Sequence, residues 1–149
     1  MQDKQDSMNL IISHGEFGVR PQVTMPSPDF YSLLGEEGIR KLVSDHYNML
    51  VLSDIKHLFP AEPDKLEAAK KRSADFFVQI CGGRDYYNQS RGKPMMAKRH
   101  QPFRIDMQAR VVWLNCYREL LPKLNLPEST LRSFWNYLNV FSLWMVNTP

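Results

Sequence analysis

His100 is the side chain whose setting most invites chemistry. It closes a short run from Met95 that Pro94 introduces and Pro102 stops, with Lys98-Arg99 before it and Pro102-Phe103-Arg104-Ile105 after it. A neutral imidazole offers a lone pair to a metal, so a histidine fixed at the end of such a segment is a candidate ligand, although most lone histidines are structural. Tyr47 and Trp113 are the next candidates. Each is a large apolar ring carrying one hydrogen-bond donor, and read from residue type alone the pair suits a closed core, its polar atoms bonded to backbone, better than a site.

Other chemistries lack their residues. There is no Gly-x-Ser-x-Gly, no phosphate loop, no His-Glu-x-x-His and no dinucleotide-binding glycine pattern. Gly82-Gly83 follows a helical run, where a C-cap explains it better than a phosphate cradle. Cys81 and Cys116 stand among apolar neighbours with no Cys-x-x-Cys or Cys/His cluster, and both read as reduced core residues. Basic residues gather at Lys70-Lys71-Arg72 and at Arg91, Lys93, Lys98 and Arg99, but Glu62, Asp64, Glu67 and Asp75 dilute them. A solvated helix face accounts for them better than a nucleic-acid partner.

The elements that must position these groups are helical. Asp29 is a candidate cap for a short helix through Leu34, with Gly35 and Gly38 punctuating the turn that follows. Ile39, Leu42, Val43, His46, Tyr47 and Leu50 then share one face of a 3.6-residue period, which puts His46 and Tyr47 on the buried side. A connector over 53–63 carries His57, Phe59, Pro60 and Pro63. The next helix runs from about Asp64 to Cys81 and ends at Gly82-Gly83. Residues 84–94 have no period and read as a long ordered loop, a frequent place for function. Asp106 can cap a helix whose face holds Ala109, Val112, Trp113, Cys116, Tyr117 and Leu120, closing at Pro122, and Pro127 can open the last helix, through Met145.

The chain has 149 residues, 43% of them hydrophobic, enough for one core and too few for two. A net charge of +3 is a weak argument for an anionic partner. Two parts are expected: an extension over 1–28, rich in Gly and Pro and either packed on the domain or partly mobile, and one domain over 29–149. No apolar run reaches the roughly 18 residues of a membrane span. The polar start from Met1 to Asp6 lacks the form of a secretory signal, so a soluble, cytoplasmic protein is expected.

Tyr87, Arg91-Gly92-Lys93-Pro94, Arg99-His100, Pro102-Phe103-Arg104-Ile105 and Trp113-Leu114, together with Gly82-Gly83, resemble the truncated haemoglobins, most of all the second group of that family. The resemblance spans about Phe30 to Val146. It implies an all-α, globin-like fold, a truncated two-over-two helical sandwich around haem b. His100 matches the proximal iron ligand, coordinating through Nε2 while its other ring nitrogen donates to a carbonyl one turn back, near Met96. Arg99 and Arg72 match propionate partners; Phe76, Phe103, Ile105 and, in the corner, Phe59 match the apolar walls, with Tyr87 among the cofactor-binding positions. Tyr47 and Trp113 align with the donors that stabilise a ligand gathering negative charge, and Ala69 and Ser73 with the positions that face it. His46 stands where the family usually has Phe, and either His46 or His57 is a possible sixth iron ligand.

The implied function is binding of O2, NO or CO at haem iron. Redox work, such as NO detoxification or peroxide-linked oxidation, is favoured over simple oxygen transport because two strong donors slow O2 release. With no flavin domain in the chain, turnover calls for an external reductase. A monomer or weak homodimer is expected. The rivals are a cofactor-free helical interaction module, in which Trp113, Trp135 and Trp144 are plain core, and a gas sensor.

Overall fold

The computed structural model describes residues 8–149. The charged start from Met1 to Asp6 and the first seven residues of the expected extension lie outside them. Among the described residues every regular element is helical.

Helix α1 (Pro28–Leu50) starts where Pro28, with its fixed φ and missing N–H, occupies the first position. The cap is Ser27, whose hydroxyl accepts from the Asp29 amide at 3.2 Å, so Asp29 lies in the first turn instead of capping it. The expected break is present: Gly35 sits at φ 78°, ψ 168°, a left-handed conformation that side chains resist. Phe30, before the break, stacks on Phe134 with ring centroids 4.1 Å apart. After it, Ile39, Leu42, Val43, His46 and Leu50 face the core.

A 3-10 turn (Lys56–Leu58) leads to α2 (Pro63–Ile80), which ends as expected: Gly82 takes φ 105° and the Gly83 amide reaches back to the Val78 carbonyl at 2.9 Å. The stretch expected to be a plain loop contains α3 (Tyr86–Arg91). Its sequence lacks a helical period, and tertiary contacts supply what the period does not. Gln79 clasps Asn88 through two bonds of 2.9 and 3.0 Å, and Tyr87 is 3% exposed. One turn, α4 (Met96–Arg99), follows, entered through Met95 at φ 43°.

Helix α5 (Met107–Leu120) has the expected cap, with Asp106 Oδ1 accepting from the Ala109 amide at 2.8 Å. A 3-10 turn (Leu121–Leu124) joins it to α6 (Glu128–Met145), entered from Pro127. Helix α1 packs most extensively on α2, then on α5 and α6, while α5 also packs on α6, giving two helix pairs layered on each other. The buried Asp75 carboxylate pins the first pair, taking Arg40 at 2.9 Å and Lys71 at 3.0 Å. Cys81 and Cys116 are buried free thiols.

Within residues 8–27 the extension is tied to α6 at several points. Trp135 Nε1 donates to the Ile11 carbonyl at 3.0 Å and Trp144 Nε1 to the Pro21 carbonyl at 2.7 Å, while Leu10 is 3% exposed. No helix of the described residues is long and apolar enough to cross a membrane.

Candidate functional site

A cavity of about 840 Å³ opens between α1, α2, α5, the end of α6 and the segment around His100. Its size suits a large ligand. Every side chain singled out from the sequence as a site residue lines it.

His100 ends α4 with its Nδ1 donating to the Met96 carbonyl at 2.7 Å, the partner expected one turn back. That bond fixes the tautomer and leaves Nε2 as the nitrogen with the lone pair, without a hydrogen-bond partner among the described residues. Burial pushes the His100 pKa down, against the opposing pull of the Met96 carbonyl, so the ring stays neutral at pH 7. The segment after it is clamped from the far end of the chain. Asn147 Nδ2 donates to the carbonyls of His100 (3.1 Å) and Phe103 (2.8 Å), and its Oδ1 accepts from the Ile105 amide at 3.0 Å.

Arg99 faces the cavity, but it also laces its own loop. Its Nε donates to the Pro94 carbonyl at 2.7 Å and Nη2 to the carbonyls of Arg91 and Lys93, with the guanidinium over the Tyr87 ring at 5.5 Å. Nη1 is left for a ligand. Arg72, on α2, makes no ion pair among the described residues and is the more available cation. Phe59, Phe76, Tyr87, Phe103 and Ile105 give apolar wall; Phe103, at 45% exposure, stands at the edge.

The opposite wall is aromatic. The Tyr47 ring meets Phe59 edge-on at 5.5 Å, and burial raises its phenol pKa, with Ser73 and Arg72 working the other way, so it remains an O–H donor. Trp113 packs against His46 and Tyr117 at 5.1 and 5.0 Å, and its indole N–H has no hydrogen-bond partner among the described residues. Ala69 and Ser73 face the cavity from α2.

The two extra histidines part company. His46 is 1% exposed, stacks on Tyr117 at 3.6 Å and commits Nε2 to the Trp113 carbonyl at 3.0 Å, which takes that nitrogen away from any metal in the cavity. Burial holds its pKa down to about 3 although the carbonyl pulls it up, so it is a neutral core donor. His57 is exposed, on the 3-10 turn at the cavity's edge.

Sequence reasoning missed Arg110 and Asn147. Arg110 is three residues before Trp113 on the same helical face, so the period could have found it had its charge not argued for solvent. Nothing local marks Asn147.

Comparison with known proteins gives one answer at three levels. The family model described as bacterial-like globin matches residues 29–147. A group 2 truncated hemoglobin, YjbI of Bacillus subtilis (strain 168), is 32% identical over 119 residues, covering 78% of this chain and 87% of its own. Among solved structures, phosphate-bound Hell's gate globin IV superposes with a TM-score of 0.83 at 42% identity, covering 92% of this chain and 86% of that one. The thermostable hemoglobin of the actinobacterium Thermobifida fusca gives 0.75 at 32% identity, covering 80% and 98%.

Proposed function

We propose, for a chain that belongs to the bacterial-like globin family and is similar to a group 2 truncated haemoglobin, that the cavity holds haem b with His100 Nε2 as its iron ligand. The observation that carries this is the His100 ring, neutral, oriented by Met96 and presenting an unpartnered Nε2 at an apolar cavity of about 840 Å³. The other residues fit the same group. Arg72 and the remaining Nη1 of Arg99 suit two carboxylates, and Phe59, Phe76, Tyr87, Phe103 and Ile105 suit an aromatic plate.

Haem would supply a ferrous iron able to take a diatomic ligand such as O2, NO or CO. Tyr47 and Trp113 hold donors in a dry wall, where a ligand that gathers negative charge is stabilised most. Ala69 leaves room beside them. Donors of this strength favour retention over release, which supports redox work in place of simple carriage: joining NO and O2 to nitrate with one electron from a separate reductase, or oxidation driven by peroxide. His57, exposed at the edge of the cavity, is the candidate sixth ligand. Buried unpaired cysteines suit a reducing, cytoplasmic setting.

The test is the ultraviolet-visible spectrum of the purified full chain: as isolated, reduced with dithionite, and reduced under CO. A Soret band that moves on reduction and with CO, and that His100→Ala loses or alters, supports the reading. A folded chain that shows no Soret band after haem addition overturns it. Ferric low-spin bands that vanish in His57→Ala support the sixth-ligand role, and their persistence removes it.

A further inference from the structure

Arg110 is a charged side chain in a place where charge is costly. It sits on α5, is 4% exposed and lines the same cavity as His100 and Trp113. Its guanidinium is caged by neutral acceptors. Nε donates to Ser142 Oγ at 2.9 Å, Nη1 to the Ser13 carbonyl at 2.9 Å, and Nη2 to Ser13 Oγ at 3.1 Å and the Asn139 carbonyl at 2.9 Å. Among the described residues no carboxylate pairs with it. Asp106, one turn earlier, is exposed and caps the Ala109 amide. Four dipoles take four of its five N–H donors without cancelling the charge, and arginine does not escape by losing its proton. An unpaired cation therefore adds its field to a cavity whose lining is mostly apolar, where charges act more strongly on one another than in water.

We infer that Arg110 tunes the redox balance of the cavity, its uncompensated charge favouring ferrous over ferric haem. The inference rests on the haem reading above. The ferric haem core carries one more positive charge than the ferrous core, so a fixed neighbouring cation destabilises the ferric form selectively. The alternative is that Arg110 only pins the extension, through Ser13, to α6. A potential separates the two, because pinning alone does not distinguish oxidation states.

The experiment is spectroelectrochemical titration of the haem-loaded full chain, the electrode supplying the single electron and the Soret band reporting the ratio of forms. Arg110→Gln removes the charge. Ser142→Asp keeps Arg110 and gives it a counter-ion. Ser142→Ala keeps the charge and loses one bond. Arg110→Gln and Ser142→Asp should each move the ferrous–ferric equilibrium about tenfold towards ferric, which is about 59 mV for one electron; Ser142→Ala should stay within twofold. Should Arg110→Gln fail to fold, Ser142→Asp decides alone. A loaded chain whose midpoint stays put in the charge variants, or moves as far in Ser142→Ala, overturns the role of Arg110. Absence of any Soret band overturns the haem reading itself.

Discussion

On one side of the cavity, Tyr47, His46, Trp113 and Tyr117 stand on two long helices and hold each other by ring contacts of 3.6–6.5 Å. On the other, residues 81–106 contain only two short helices, held in place by bonds from side chains to backbone carbonyls: Arg99 to three of them, His100 to one, Asn147 to two. The aromatic wall draws on apolar burial, which is non-directional and sums over many atoms. The His100 segment draws on directional bonds, each contributing only about 1 kcal/mol net, but each fixing an angle. A ligand ring needs the second kind of support and a dry wall needs the first.

That contrast can be broken from either side. The largest effect should come from the core behind the aromatic wall. Phe134→Ala removes a 1% exposed ring stacked on Phe30 and should cost ~3–5 kcal/mol, lowering Tm by roughly 10 °C in calorimetry or thermal circular dichroism.

The wall also holds an acid weakness. Below pH about 6.5 the unfolded chain protonates His46, while the folded chain refuses that proton until about 3. The unfolded state then binds more protons, so stability falls as pH falls through this window, by on the order of 2 kcal/mol between pH 7 and 5 from this group. His100 acts in the same direction. His46→Phe should flatten the fall, read from urea midpoints across that range; a slope unchanged by the substitution would place the sensitivity elsewhere.

The smallest global effect should come from the polar clamp. Asn147→Ala loses four side-chain bonds, three of them to residues 100–105, at a partly exposed site and should cost only ~1–2 kcal/mol, yet hydrogen exchange over residues 100–105 should quicken about tenfold. Phe134→Ala should show the opposite ratio: a large fall in Tm with no exchange change special to that segment.

Much of this was legible before any coordinates. The face from Ile39 to Leu50, the break at Gly35, the stop at Gly82-Gly83 and the Asp106 cap follow from period and backbone freedom, which act within one or two turns. The His100–Met96 bond also spans only four residues, but it was expected from the resemblance to the truncated haemoglobins and not from period or spacing. What was not legible acts over distance. Helix α3 forms because Gln79 grips Asn88 and Tyr87 finds a buried slot. The cap at Ser27 is the local exception: Asp29 yields it because Pro28, the residue between them, takes the first helical position. The extension, open in sequence between packed and mobile, is tied to α6 where two of that helix's tryptophans donate to the Ile11 and Pro21 carbonyls, while most of its residues between 8 and 27 stay exposed.

The chain's own order of residues thus determined the four long helices and their buried faces, since each depends on neighbours a few positions away. Only the tertiary structure decided that His46 turns its Nε2 to Trp113, that Asn147 holds residues 100–105, and that Arg110 keeps a buried charge caged by Ser13, 97 positions before it. Bonds across such separations leave no periodic trace, because what brings their partners together is the packing of helices whose individual patterns do not name each other.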